Sequence, residues 1–239
     1  MIFSPVMALA CAAVFGGAIV QGIVGFGMGL LSASVTLRAL GPQLMAPVNV
    51  GLAVIMNASL FFKLRKNADW SIIAPLLIGS PFGIWLGTYL PQVIPAQTFK
   101  TCFGVFVALS GAVLWSGWKC SAEGFLPRMA VGFASGILSG SISLGAPPVA
   151  IFLTAGSTPK HVFRSSVSAY LTAQNVMSAI AFGLRGAYTG DYFKGFAALL
   201  PFVMGGVWLG ARFASRVNEA AFRRVVMVLI IISGLSLLL

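Results

Sequence analysis

Ser139-Gly-Ser-Ile-Ser-Leu-Gly-Ala-Pro-Pro148 interrupts an otherwise apolar run from 127 to 157, and Gly22-Ile-Val-Gly-Phe-Gly-Met-Gly29 interrupts another from 5 to 40. Glycine and proline at this density punctuate a helix. Each run therefore reads as two helices joined by a break. The pieces flanking the second break, 127 to 140 and 145 to 157, reach only about 20 Å each at the rise of an α-helix. A hydrocarbon core is roughly 30 Å thick, so this pair is predicted as a hairpin that turns inside a membrane.

The rest of the chain supports that setting. Of 239 residues, 59% are hydrophobic and only 8% charged, with a mean hydropathy of +0.99, which excludes an ordinary soluble domain. Six further segments, 44 to 63, 71 to 90, 98 to 117, 163 to 184, 192 to 211 and 219 to 238, each have the roughly 20 apolar residues that cross a bilayer. The net charge of +11 falls between apolar runs, where it marks membrane-surface loops rather than a nucleic-acid partner. Residues 8 to 20 are apolar, but the first basic residue is Arg38, so no signal-peptide n-region precedes them and residues 1 to 40 are kept as mature structure. Cys11, Cys102 and Cys120 form no CxxC and signal neither a disulfide framework nor a metal site.

The chain also repeats itself. Gly83-Ile-Trp-Leu-Gly87 recurs as Gly206-Val-Trp-Leu-Gly210, and the same offset pairs Phe99-Lys100 with Phe222-Arg223. Nearer the start of each half, Gly17, Gly25 and Gly41 pair with Gly132, Gly140 and Gly156. If each broken pair goes in and returns, the halves are inverted and the basic residues divide eleven to four between the two faces; parallel halves would divide them eight to seven. The positive-inside rule selects the inverted reading. The expected fold is an all-α polytopic membrane protein: one domain, 1–239, made of two inverted-topology repeats. Each repeat holds a broken or re-entrant helix pair plus three transmembrane helices, 1–118 forming the first, 119–127 a cytoplasmic linker and 128–239 the second. Both termini then lie outside the cytoplasm of a bacterial-type inner membrane, an architecture typical of secondary transporters.

Lys63-Leu-Arg-Lys-Asn-Ala-Asp-Trp70, followed by Gly79-Ser-Pro-Phe-Gly83 and Trp85-Leu-Gly87, resembles a loop and following helix of the sulfite exporter TauE/SafE family of anion permeases. Phe163-Arg164-Ser165-Ser166 resembles that family's Phe-Arg-Ala-Thr entry to a polar helix, and Gly210-Ala-Arg-Phe-Ala-Ser-Arg216 its Gly-Ala-Arg run. The chain departs from the pattern at Met28 and at Ser165-Ser166. The resemblance implies transport of sulfite, sulfonates or other organosulfur anions, coupled to an ion gradient.

The residues point to an anion site by a separate route. A half-helix that starts inside a membrane presents free N–H groups and a partial positive charge. At the second break Ser141 or Ser143 can cap such a helix, Gly145 allows close approach of backbone, and Pro147-Pro148 suit a first turn. Ser139 and Gly140 complete that break, and Gly25 and Gly27 mark its counterpart in the first half. The helix over 163–184 carries Arg164, Ser168, Thr172, Asn175 and Ser178 on one face, a stripe expected to look into the bundle. Asn49 and Asn57 form a thinner stripe in the first half, and Gln21 and Gln174 are expected as amide donors. Arg164 offers a planar fork suited to a sulfonate or sulfite, with a snorkelling interfacial charge as the alternative.

Asp69, Glu123, Asp191 and Glu219 are all assigned to loops, so no buried carboxylate relay is expected. His161, the sole histidine, falls in a loop. Coupling to H+, by the substrate's own protonation or His161, is preferred to coupling to Na+. No motif of a hydrolase, nucleotide-binding protein or metalloenzyme occurs. The expected function is a secondary transporter of a small sulfur-containing oxyanion working by alternating access, with no cofactor, metal or nucleic acid. An anion channel and a non-transporting membrane assembly factor are the alternatives, and the oligomeric state is open.

Overall fold

The computed structural model describes residues 5–93, 124–142 and 144–238, with scattered positions between Thr101 and Ser116. Among the described residues the secondary structure is helical throughout, with no strand. The chain runs α1 (Pro5–Val24), α2 (Met28–Leu40), α3 (Pro42–Leu64), α4 (Trp70–Val93), α5 (Phe125–Ile142), α6 (Ala146–Ala155), α7 (Lys160–Leu184), α8 (Gly190–Phe213) and α9 (Glu219–Leu238). Most of the segment 98–117 and the linker up to 123 lie outside the described residues, with Lys100, Cys102, Cys120 and Glu123.

Four stretches among the described residues are long and apolar enough to cross a membrane: Pro5–Val24, Gln43–Asn67, Trp70–Gly87 and Gly190–Arg216. The protein is an all-α, multi-pass membrane protein. Helix α7 is not among the four because it is too polar. Its Arg164, Ser165, Ser166, Ser168, Gln174 and Ser178 are buried against protein, which is where such groups avoid hydrocarbon.

Both breaks form where the sequence places them, between α1 and α2 and between α5 and α6. The two arms of each are unequal. Helix α5 has 18 residues, starting at Phe125 and running to Ile142, and so reaches about 27 Å, longer than the 127–140 expected. Helix α6 has only 10, about 15 Å, and cannot cross a bilayer. In the first break Gly25 and Gly27 take φ of 102° and 124°, values that a side chain rarely tolerates. Helix α2 then folds back on α1, its Met28 backbone seated against Gly17.

Glycines set the closest helix contacts. Helices α4 and α5 pack backbone to backbone, since a Cβ on Gly79, Gly83 or Gly132 would run into a carbonyl oxygen of the other helix. Gly140, expected at the anion site, belongs here instead, against the backbone of Ile84. Helices α1 and α8 meet in the same way, with Gly206 on Phe15 and Gly210 on Ile19. Between these two pairs, α3 packs along α7.

Candidate functional site

The two breaks open onto one cavity of about 110 Å3. That is room for several water-sized molecules. Phe26, Gly27, Met28 and Gly29 of the first break line it, as do Leu144, Gly145, Ala146 and Pro147 of the second. Helix α3 contributes Met45, Asn49, Val50, Ala53 and Asn57, and α1 and α7 contribute Gln21, Leu171, Gln174 and Asn175. Seven residues singled out in the sequence thus meet here: Gln21, Gly27, Asn49, Asn57, Gly145, Gln174 and Asn175.

The α2 side of the cavity is held by a relay of amides. The Met28 N–H donates to Gln21 Oε1 at 2.9 Å, and Gln21 Nε2 donates to Asn57 Oδ1 at 2.8 Å. Asn57 is 1% exposed and its Nδ2 has no hydrogen-bond partner. A buried donor without a partner costs about 1–3 kcal/mol, and Asn57 is among the residues that line the cavity. Asn49, 8% exposed, gives its Nδ2 to Thr36 Oγ1 at 3.3 Å and keeps an unpartnered Oδ1.

The α6 side is held by a cluster that the sequence did not reveal. Ser135 Oγ donates to the Gly145 carbonyl and accepts from Tyr170 Oη at 2.8 Å. Gln174 Nε2 donates to Tyr170 Oη at 2.9 Å and Ser135 Oγ at 3.1 Å, with Ser80 Oγ at 3.4 Å. Gly145 has φ of −75°, so it is required here for space and not for conformation. A Cβ there would strike Gln174 Oε1.

Several expected site residues lie elsewhere. Ser141 caps nothing, because its Oγ bonds back to Ile137 O at 2.7 Å inside α5, and Gly145 precedes α6 without any side-chain cap. Pro147 and Pro148 also lack N–H groups, so α6 offers fewer free donors than α2. Ser139 Oγ faces Ser178 Oγ at 3.4 Å, and Thr172 Oγ1 bonds to Ser168 O at 2.6 Å. Ser143 lies outside the described residues.

Arg164 does not line the cavity either. Its Nη2 donates to Gly22 O at 2.8 Å, at the carboxyl end of α1. The helix macrodipole places negative partial charge there, which attracts a guanidinium. The Arg164 backbone and Ser168 Oγ pack beside Gly25 at ordinary contact distance, so this glycine is required for its positive φ rather than for space. No carboxylate of the described residues lies within ion-pair distance of Arg164, and its Nε and Ser168 Oγ have no hydrogen-bond partner. The neighbours of Arg164 extend this junction. Ser165 Oγ donates to Leu64 O at 3.0 Å, Ser166 Oγ accepts from the Asp69 N–H at 3.2 Å, and Phe163 packs between Phe26 and Phe222.

Sulfite exporter TauE/SafE is the family whose model matches this chain, over residues 9–237. The chain belongs to that family. It is a membrane transporter family rather than an enzyme family, and the protein is accordingly a multi-pass membrane transporter. The chain is also similar to the "Probable inner membrane transporter protein TsaS" of Comamonas testosteroni, at 26% identity over 209 residues, covering 84% of this chain and 83% of the relative. No solved structure matches it. The Phe163-to-Ser166 motif, one of those that carry the resemblance, is thus the junction described above, which ties the first break to α3, to the turn before α4 and to α9.

Proposed function

We propose that the protein is a secondary transporter that carries a small sulfur-containing oxyanion, such as sulfite or an organosulfonate, across a bacterial-type inner membrane by alternating access. The observation that carries this reading is the one cavity onto which both helix breaks open, with Asn57, whose Nδ2 is unpartnered, among its lining residues. The first turn of α2 supplies further N–H donors, and irregular backbone at membrane depth is tolerated where it lines such a cavity. Met28, Gly29, Asn57 and the Gln21 relay form the anion seat, and Asn49, Gln174, Asn175 and Gly145 also line the cavity. Arg164 holds the first break in place and adds positive potential from behind it, with Ser168 beside it.

The halves 1–118 and 128–239 are read as inverted copies whose motion exposes the cavity to each side in turn, both termini facing away from the cytoplasm. The packing supports this: the close pairs α1–α8 and α4–α5 each join an early helix of one half to a later helix of the other. Asp191 and Glu219, expected in loops, stand instead in the first turns of α8 and α9, and Asp191 is exposed there, so none of the described carboxylates sits in the middle of a span, which favours H+ entering with the substrate over a carboxylate relay.

The test is uptake of radiolabelled sulfite into proteoliposomes of the purified protein, with and without unlabelled sulfite inside. Uptake accelerated by internal sulfite is expected of a carrier. Uptake that never saturates and is indifferent to internal sulfite would replace the carrier with a channel, and no flux of sulfite or any organosulfonate would overturn the reading.

A further inference from the structure

We infer that the carrier works as two rigid bodies, each formed from one half with a single helix exchanged, and that the first two turns of α7 latch these bodies together at one end. The inference rests on the alternating-access reading above and names its moving parts.

The repeated motif marks the exchange. Gly83-Ile-Trp-Leu-Gly87 lies on α4 and Gly206-Val-Trp-Leu-Gly210 on α8, and each of these helices packs backbone to backbone on the first helix of the other half. Two apolar cores follow the same division. One is built by α1, α2, α3 and α8, with Val14, Met28, Leu52, Met56 and Val203. The other is built by α4, α6, α7 and α9, with Leu76, Leu153, Val167, Tyr170 and Val226, and α5 joins it through its glycine contact with α4. The tip of the first break crosses over. Val24 and Phe26 sit in the second core, the Phe26 ring 6.4 Å from that of Phe163. Gly25 and Gly27, with φ of 102° and 124°, flank Phe26 and supply the bend between the bodies.

The cavity lies on the boundary, with Gln21, Met28 and Asn57 from the first body and Gly145, Leu171 and Gln174 from the second. The amides there bond within their own body, Gln21 to Asn57 and Gln174 to Tyr170 and Ser135. At the amino end of α7 the pattern changes. Lys160 Nζ donates to Ala214 O at 2.6 Å, Arg164 Nη2 to Gly22 O at 2.8 Å and Ser165 Oγ to Leu64 O at 3.0 Å. These carbonyls stand at the carboxyl ends of α8, α1 and α3, where helices leave acceptors unsatisfied and carry negative partial charge. One short stretch of α7 thus closes over three helix ends of the opposite body. From Leu171 back to Ser165, and from Asn57 on to Leu64, the helices travel about 10 Å. The contact therefore lies between the cavity and the surface that bears the Arg65–Asn67 turn. Opening the cavity to that surface requires the three contacts to part together.

The test uses the full-length protein in proteoliposomes with its three cysteines replaced by alanine. Phe15→Cys with Gly205→Cys places a bridge inside the first body, where a Cβ on Gly205 would lie 3.5 Å from the Phe15 ring. Leu64→Cys with Ser165→Cys places one across the latch. Closing the first pair with a short, reducible thiol cross-linker is expected to leave sulfite counterflow unchanged, and closing the second to stop it until the bridge is reduced. Counterflow that survives the second bridge, or stops with the first, overturns the inference. A second measurement does not depend on activity. Lys160→Met with Ser165→Ala is expected to speed labelling of Ala53→Cys, in the cavity wall, about tenfold for an impermeant reagent applied on the Arg65–Asn67 side. An unchanged rate overturns the latch. Absence of any saturable sulfite flux in the wild-type protein would instead remove the carrier reading, and the labelling rates separate the two failures.

Discussion

Gly145→Ala is the substitution for which the structure specifies a cost. The backbone at this position, φ −75°, accepts any residue, so the effect is steric and confined to the added methyl. That methyl meets Gln174 Oε1, and Gln174 cannot turn aside without abandoning its contacts to Tyr170 Oη at 2.9 Å and Ser135 Oγ at 3.1 Å. At about 1 kcal/mol for each neutral hydrogen bond, displacement costs about 2 kcal/mol. If that cost falls on the substrate-bound state it raises KM roughly 30-fold. If it falls on the fold it lowers the melting temperature in detergent. The signature is coupling: Gln174→Ala removes the obstacle, so the double variant should lose less stability than the two single losses added. Melting temperatures of the four proteins and KM for sulfite counterflow measure both. Strict additivity together with a wild-type KM for Gly145→Ala would refute the reasoning that Gln174 is pinned over the second break.

Other changes have directions of their own. Asn57→Asp, which keeps shape but replaces the free donor with a carboxylate oxygen, is expected to weaken sulfite binding by well over tenfold, whereas Asn57→Ala should cost about tenfold; inhibition constants in counterflow measure both. Arg164→Ala deprives Gly22 O of a charged donor worth about 1.5–3 kcal/mol. Transport by that variant should fall well below that of Arg164→Lys, which retains a charge and a donor, and equal rates would argue against the contact. Gly83→Leu drives a side chain into the Phe133 carbonyl of α5 and should abolish a monodisperse size-exclusion peak, while the same change at exposed Gly190 should not.

Much of the fold is legible in the sequence because membrane burial leaves coarse signals. Long apolar runs mark α1, α3, α4 and α8, and the density of glycine and proline marks both breaks within a few residues. The asymmetry of the second pair is not legible. Helix α5 extends through Ser141, whose Oγ bonds back to Ile137 O, whereas α6 ends before Gly156. At the site, amides on helical faces identify Gln21, Asn49, Asn57, Gln174 and Asn175, all of which reach the cavity.

Arg164 is different, because a guanidinium takes whichever partner the tertiary fold brings nearest, and here that is a helix carboxyl end. Tyr170, Ser135 and Ser80 escape notice for a related reason: serines among glycines read as small packing residues. A trace of their role does exist in the sequence. In Gly79-Ser80, Ser135-Gly136 and Ser139-Gly140 each serine adjoins a glycine of the α4–α5 contact, which sets a polar row beside the close-packed one.

The most direct test of the central claim is an experimental structure of the protein with sulfite bound. The account predicts density for the anion between Asn57 Nδ2 and the first turn of α2, in the cavity shared with Gly145 and Gln174. Density instead behind the first break, on Arg164 Nε and Ser168 Oγ, with the shared cavity free of anion, would contradict it.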